Sequence, residues 1–289
     1  MKTPVPGPVC ALYVPGDRPD RFEKAARSGA DQVVIDLEDA VAPDGKAQAR
    51  INSAEYLGSP NRVMTAVVLR INGVDTEHFE ADMILLHQLA AHGHLPAEVR
   101  LPKVESADEV AILAAIPGLA VAALIESALG LEAATDIASA RGVVSIGLGE
   151  ADLRSELMLE SEDSLAYARS RVVVAAAAAG LRSPAMAAYP NLEDVQGLAS
   201  SCQLGRTLGC YGRSAVHPHQ IPVIRDAFRP TIDEVTAARE ILRSLDAGLE
   251  AGRGVVRNAS GAMVDAAMRR RAEILLAGAV EFAPSPEFG

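Results

Sequence analysis

The sequence predicts an α/β protein: a (β/α)8 (TIM) barrel followed by a C-terminal helical segment. Three observations carry this expectation. Eight short apolar, often β-branched runs alternate with helix-like stretches between Cys10 and Pro218, which is the alternation of a barrel. The runs are nearly continuous in their hydrophobicity, as in parallel strands covered on both faces. Charged side chains gather where the runs stop, and in a barrel those ends form the one face on which enzymes of this fold build their sites. A doubly wound open sheet is the rival. It usually places a glycine-rich phosphate loop after its first strand, and none follows Pro15; Gly147-Leu148-Gly149 is too short for a dinucleotide fingerprint.

In chain order the runs are Cys10–Pro15, 32–39, 64–72, 99–105, 120–127, 143–152, 184–190 and 211–218. Between them, Phe79, Met83, Leu86 and Ala90 recur at helical spacing, and the alanine-rich stretch 166–179 reads as helix. The second run ends on Asp36, Glu38 and Asp39, the third near Arg70, the fourth on Lys103 and Glu105. The fifth ends at Glu126, the sixth at Asp152 and the eighth at His217, while the seventh offers only Asn191 and Glu193, to which no role is assigned. Strand ends that were merely wetter would carry random polar types, about half of them Ser, Thr or Asn. After Pro230, Thr231 and Glu234 form a capping box that opens a helix to about residue 249. A polar, glycine-rich link follows at 251–261, then a last helix at 263–279 with Asp265 at its start, and a frayed tail at 282–289. The expected division is 1–230 for the barrel and 231–289 for the helical extension.

Composition bounds the function. The 289 residues are 49% hydrophobic and 22% charged, and aromatics make up only 3%, so the core is built from Ala, Val, Leu and Ile. A net charge of −11 argues against a nucleic-acid partner but not against a small anionic substrate held by a local cluster of Arg and Lys. Cys10, Cys202 and Cys210 lack any CxxC spacing and read as reduced structural thiols, which favours the cytoplasm. No apolar run approaches a membrane span, and residues 1–9 hold no apolar core of a signal peptide.

Leu124-Ile125-Glu126-Ser127 and Gly147-Leu148-Gly149-Glu150-Ala151-Asp152 each place a carboxylate at the mouth of a buried strand. A lone charge is costly there. Two such carboxylates on consecutive strands point to a shared cation. Mg2+ suits them, because it takes one or two carboxylates and leaves its other positions to water and substrate. The alternative is that Glu126 and Asp152 pair separately with nearby Arg or Lys.

Assembled, these residues resemble the citrate lyase β-subunit-like branch of the HpcH/HpaI aldolase family. The resemblance runs from Leu12-Tyr13-Val14-Pro15-Gly16-Asp17-Arg18-Pro19-Asp20-Arg21-Phe22-Glu23-Lys24-Ala25 through Asp36-Leu37-Glu38-Asp39-Ala40-Val41, with Lys46 and Arg50 following. It continues in Leu69-Arg70-Ile71-Asn72, Leu101-Pro102-Lys103-Val104-Glu105, Ile125-Glu126-Ser127, Gly149 to Leu153, and His217-Pro218-His219-Gln220-Ile221. The chain departs from the family pattern at Ser127, where many members have Thr; at Ser183-Pro184, where relatives often have an aspartate; and at Glu150-Ala151, where many have Asx alone before the aspartate.

The resemblance implies a Mg2+-dependent lyase for a 3-hydroxyacyl-CoA of the malyl-CoA or citramalyl-CoA type, giving a 2-oxo acid and an acyl-CoA. It implies Glu126 and Asp152 as metal ligands and Arg70 as the group that holds the substrate carboxylate or the developing enolate. Glu38 and Asp39 would orient Arg70, with Lys103 beside them, and Arg18 and Lys24 would face the coenzyme A. Asp265, in Met263-Val264-Asp265, would act as acid or base in a neighbouring subunit of a homotrimer, on a lid hinged at the glycine-rich link. His217 reads as structural. Two alternatives are the β subunit of a citrate lyase complex and an aldolase of free 4-hydroxy-2-oxo acids. The aldolase branch carries a histidine base in Asp-x-Glu-His, where this chain has Asp36-Leu37-Glu38-Asp39.

Overall fold

The computed structural model describes residues 7–258 and 261–281; the sequence readings at residues 1–6 and 282–289 lie outside them. Among the described residues, contacts divide the chain into one unit spanning Gly7–Phe228 and a second that begins at Arg229.

The first unit is built on seven parallel strands: β1 (Cys10–Pro15), β2 (Gln32–Asp36), β3 (Ala66–Arg70), β4 (Glu98–Leu101), β5 (Val121–Ile125), β6 (Val143–Leu148) and β7 (Arg213–Ala215). Their order in the sheet is β6-β5-β4-β3-β2-β1-β7, so each strand from β1 to β6 pairs with its sequence neighbour, as in a TIM-barrel-like fold. All five residues of β2 are buried, which explains its unbroken hydrophobicity: side chains on both faces are covered. Tight approach at the top of the sheet requires Gly16, whose N–H donates to the Asp36 carbonyl at 2.8 Å. A Cβ there would lie 2.9 Å from that same carbonyl oxygen.

The seventh predicted run forms only a single bridge, Met186 to Arg213. Tyr211 N–H donates to the Pro184 carbonyl at 2.9 Å, and Met186 N–H to the Gly212 carbonyl at 3.0 Å. Pro184 and Pro190 bracket this run without donors of their own, so it cannot sustain a ladder on both sides.

In the second unit, Thr231 opens the helix Ile232–Glu250 through the predicted capping box. The expectation of a loose link and a helix from residue 263 is corrected here. Val255–Arg257 and Met263–Asp265 pair as a short antiparallel hairpin, β8 and β9, and the last helix begins at Ala266. β-branched Val255, Val256 and Val264 favour the extended form; Val264 is buried and Val256 half-buried. No described helix is long and apolar enough to cross a membrane. All three cysteines are free and buried. Burial, with Asp31 nearby, pushes the Cys10 thiol up to about 12, and burial pushes Cys210 up to about 11. Both are thus inert structural thiols.

Candidate active site

The ends of β2, β3 and β4 assemble one ion-pair cluster. In the sheet, Asp36 on β2 and Arg70 on β3 are register partners, which brings their side chains to the same face. Arg70 forks onto Asp36, Nε to Oδ1 at 2.7 Å and Nη2 to Oδ2 at 2.6 Å. Its Nη1 lies 2.8 Å from Glu38 Oε2 and 3.4 Å from Asp39 Oδ2. The contact to Glu38 is an ion pair without hydrogen-bond alignment, since that oxygen has no hydrogen-bond partner. The expected pairing of Arg70 with Glu38 and Asp39 is therefore present, but Asp36 is the main partner. The guanidinium also lies 5.0 Å from the centroid of the Tyr13 ring, a cation–π distance.

Lys103 completes the cluster, its Nζ donating to Glu38 Oε1 at 2.6 Å. It sits at φ +53°, a left-handed conformation costly for a side chain with a Cβ. That turn aims the ammonium at Glu38. Burial raises the Glu38 pKa above its ordinary value, opposed by Arg70 and by the Lys103 hydrogen bond. The loop after β2 is held from below by Lys46, whose buried ammonium donates to the carbonyls of Leu37 and Glu38 and to Asn72 Oδ1 at 2.7–3.0 Å. Asn72 is in turn fixed to the fully buried Asp82, which pairs with Arg50 at 2.6 Å. Lys46, Arg50 and Asn72 are thus the scaffold of the Glu38–Asp39 loop.

Glu126 follows β5 and is buried, and its Oε2 has no hydrogen-bond partner. Burial, then the negative charges of Glu38 and Asp152, push its pKa up to about 8. Asp152 sits in the first turn of the helix Glu150–Leu157. Both residues line one cavity of about 780 Å³, together with Arg70, Asp39 and Tyr13. Gly149 makes this approach possible: a Cβ there would lie 2.5 Å from Glu126 Cγ and Oε1. Ser127 caps the next helix by accepting from Gly130 N–H and donates to Glu105 at 2.6 Å, work a threonine hydroxyl performs equally well. Among the described residues no group of three or more His, Cys, Asp or Glu converges as an all-protein cation cage. The Glu126–Asp152 pair instead matches a hard cation that keeps several positions for water and substrate.

Glu150, the bulkier residue in the Gly-Glu-Ala-Asp stretch, is tied back. Its carboxylate is forked by Arg169 at 2.7 Å on both oxygens, and Arg169 also reaches Glu162 at 2.6 Å. The helix carrying Asp152 is therefore anchored at its first turn.

The remaining predicted residues lie elsewhere. Arg18 pairs with Asp20 at 3.0 Å, with its side chain 45% exposed, and Lys24 is exposed on the short helix Phe22–Ala26. Neither lines the cavity, nor do Glu38 and Lys103. Asp265 belongs to the second unit, where its Oδ1 accepts from Ala267 N–H at 3.0 Å, an ordinary helix cap. His217 accepts from His219 N–H through Nδ1 at 3.3 Å, in keeping with a structural role.

Three site residues escaped the sequence reading: Asp36 as the partner of Arg70, and Tyr13 and Arg100 on the cavity wall. The strict alternation Glu98-Val99-Arg100-Leu101 in a strand otherwise expected to be apolar was the available signal for Arg100.

Known proteins resemble this chain in sequence and in fold. The chain is 32% identical to the L-malyl-CoA/beta-methylmalyl-CoA lyase of Cereibacter sphaeroides, over 92% of this chain and 93% of that protein. It is also 32% identical to the (3S)-malyl-CoA thioesterase of the same species, over 84% and 85% of the two chains. Its structure superposes with a TM-score of 0.77 on the protein CitE of Mycobacterium tuberculosis, solved in complex with magnesium, acetoacetate and coenzyme A, at 34% identity and covering 95% of this chain and 98% of that one. The family model for HpcH/HpaI aldolase/citrate lyase matches residues 10–218, the stretch that supplies every cavity residue named above, and this chain belongs to that family.

Proposed function

We propose that the protein is a Mg2+-dependent carbon–carbon lyase that cleaves a 3-hydroxyacyl-CoA of the malyl-CoA or citramalyl-CoA type to a 2-oxo acid and an acyl-CoA. The observation that carries this reading is Glu126, a buried carboxylate with an orphaned oxygen that lines the same cavity as Asp152 and feels its charge. A buried carboxylate in that state is costly until a cation joins it, and the exposed Asp152 on the same cavity offers the second ligand. The malyl-CoA activities of the relatives and the magnesium, acetoacetate and coenzyme A of the M. tuberculosis CitE structure support the same reading.

Bound at Glu126 and Asp152, Mg2+ would polarise the substrate's hydroxyl and the ketone oxygen it becomes. The chain's own residues do the rest. Asp36 fixes the Arg70 fork, so the remaining N–H directions on Nη1 and Nη2 are free to meet a substrate carboxylate or the enolate oxygen. Glu38, Asp39 and Lys103 hold that guanidinium in place without facing the reaction, except at the Asp39 carboxylate on the cavity wall. When the bond between the hydroxyl carbon and the thioester α-carbon breaks, its electron pair enters the thioester as an enolate. The hydroxyl proton must leave and the enolate must gain one. In this reading Asp265 of a neighbouring subunit serves that exchange, on a lid closing a complete (β/α)8 barrel within a homotrimer. Arg18 and Lys24 would meet coenzyme A phosphates, and the inert thiols suit the cytoplasm.

Mass-spectrometric product detection tests the reaction. Malyl-CoA or citramalyl-CoA is expected to yield acetyl-CoA with glyoxylate or pyruvate in Mg2+, and nothing in EDTA. Release of free hydroxy acid and CoA instead would contradict carbon–carbon cleavage. Asp265→Asn is expected to lower turnover by about 10²-fold, the scale of a general acid–base group. Co-expression of Asp265→Asn with Glu126→Gln chains is expected to restore activity, because mixed assemblies contain sites intact in both residues. No recovery would contradict a shared site.

A further inference from the structure

The two ends of the sheet, β6 and β7, flank the cavity without pairing to each other among the described residues. Backbone hydrogen bonds therefore do not fix the end of β6 against β7. The helix that follows β6, Glu150–Leu157, carries Asp152 and has little packing of its own. It buries one side chain, Leu153, and Gly149 before it supplies no side-chain cap. A helix this short is marginal without tertiary support.

That support is a chain of charged and polar side chains. Arg169, on the helix Ala166–Ala178 and only 2% exposed, donates to both oxygens of Glu150 at 2.7 Å and to Glu162 Oε1 at 2.6 Å. Glu162 also accepts from Arg154 at 3.3 Å, so the first and last turns of the Asp152 helix are both tied into it. The chain continues to Ser201 on the helix Val195–Thr207, which donates to Glu162 at 2.8 Å. Arg213 on β7 then donates to Ser201 at 2.7 Å. Burial works against the Glu162 charge, but hydrogen bonds from Arg169 and Ser201 hold its pKa below the ordinary value. The ion pairs therefore persist at neutral pH. Together these side chains clasp the helix after β6 to β7 across the open side of the sheet, and Glu150, Arg154, Glu162 and Arg213 line the cavity with Asp152.

Resting on the Mg2+ reading of Glu126 and Asp152, we propose that this clasp sets the position of Asp152, and that Arg169 is a positioning residue for the metal. Arg169 acts through the helix. Glu150 and Asp152 share its first turn, so fixing one carboxylate fixes the backbone that presents the other. Glu126 needs no such device, because it follows β5, a strand paired on both sides. Charge and position predict opposite signs here. A guanidinium near a cation site repels Mg2+. By charge alone, removing Arg169 strengthens Mg2+ binding and removing the charge of Glu150 weakens it. The clasp instead requires that both substitutions weaken it, on the scale of about 10–100-fold that the partners of metal ligands carry.

The test is calorimetric titration of Mg2+ into the wild-type protein, Arg169→Gln, Arg169→Lys, Glu150→Gln and the Arg169→Gln/Glu150→Gln double variant. Thermal unfolding without metal records whether each variant is folded at the titration temperature. Arg169→Gln and Glu150→Gln are each expected to weaken Mg2+ binding about 10–100-fold. The double variant is expected to lie within about threefold of the weaker single one, because both break one link. Arg169→Lys keeps the charge but not the fork, and is expected to bind Mg2+ less tightly than wild type and more tightly than Arg169→Gln. Should Arg169→Gln not fold, Arg169→Lys decides, since charge alone leaves its affinity unchanged. Unchanged or tighter binding in either Arg169 variant, or additive losses in the double variant, would overturn the clasp. Absence of Mg2+ binding by the wild-type protein would instead overturn the metal reading, and this inference with it.

Discussion

Glu126→Gln is expected to lower kcat/KM for the CoA ester by about 10³-fold or more, the scale of losing a Lewis acid worth several kcal/mol at the transition state. The glutamine is nearly isosteric, so it still packs against Gly149, where there is no room for a Cβ. What it lacks is the negative charge that Asp152 alone cannot replace. The same substitution removes a buried, like-charge carboxylate from the metal-free protein. Burial pushes the Glu126 carboxyl up to about 8 from the ordinary carboxylate value of 4.5. In that interval the folded state holds more protons than the unfolded one, so stability falls as pH rises through it. The variant is therefore expected to be no less stable than wild type without metal at alkaline pH. Loss of activity without loss of thermal stability separates a ligand role from a structural one. A variant that turned over at the wild-type rate would remove Glu126 from the site.

Arg70→Lys is expected to cost about 10²–10³-fold in kcat, the magnitude of removing a preorganised donor at a developing oxyanion. A lysine keeps the charge but loses the fork. It cannot hold both oxygens of Asp36, contact Glu38 and still present N–H groups to substrate. The orientation of the guanidinium depends on five partners: Asp36, Glu38, Asp39, Tyr13 and, through Glu38, Lys103. Asp36→Asn is accordingly expected to mimic part of the Arg70→Lys defect. A KM-only effect of Arg70→Lys would assign the residue to ground-state binding instead of to the charge that develops.

Much of this arrangement was legible in the chain. Apolar runs buried on both faces marked the six strands from β1 to β6, and the capping box at Thr231 marked the first helix of the second unit. The run at 184–190 looked like the others by hydrophobicity, but its flanking prolines leave too few donors for a ladder. The 251–261 stretch read as a loose link because glycine and charge hid Val255 and Val256, whose partner strand lies beyond the turn. Among site residues, Glu126 and Asp152 stood out as carboxylates at strand mouths. Asp36 was overshadowed by its neighbours Glu38 and Asp39, although only inter-strand register decides which of the three meets Arg70. Arg100 left only the alternation Glu98-Val99-Arg100-Leu101 as a signal, because the groups it meets, the Tyr13 hydroxyl and ring, are a property of the folded sheet.

The most direct measurement is a calorimetric titration of Mg2+ into the purified protein at pH 7 and pH 9, in buffers of different ionisation enthalpy. Metal must displace the proton that Glu126 carries below about pH 8. The expected result is release of close to one proton per Mg2+ at pH 7, almost none at pH 9, and affinity roughly tenfold higher for each pH unit gained below about 8. Glu126→Gln is expected to abolish both the binding and the proton release. Absence of Mg2+ binding, or binding that is independent of pH and unchanged in Glu126→Gln, would contradict a cation site at Glu126 and Asp152.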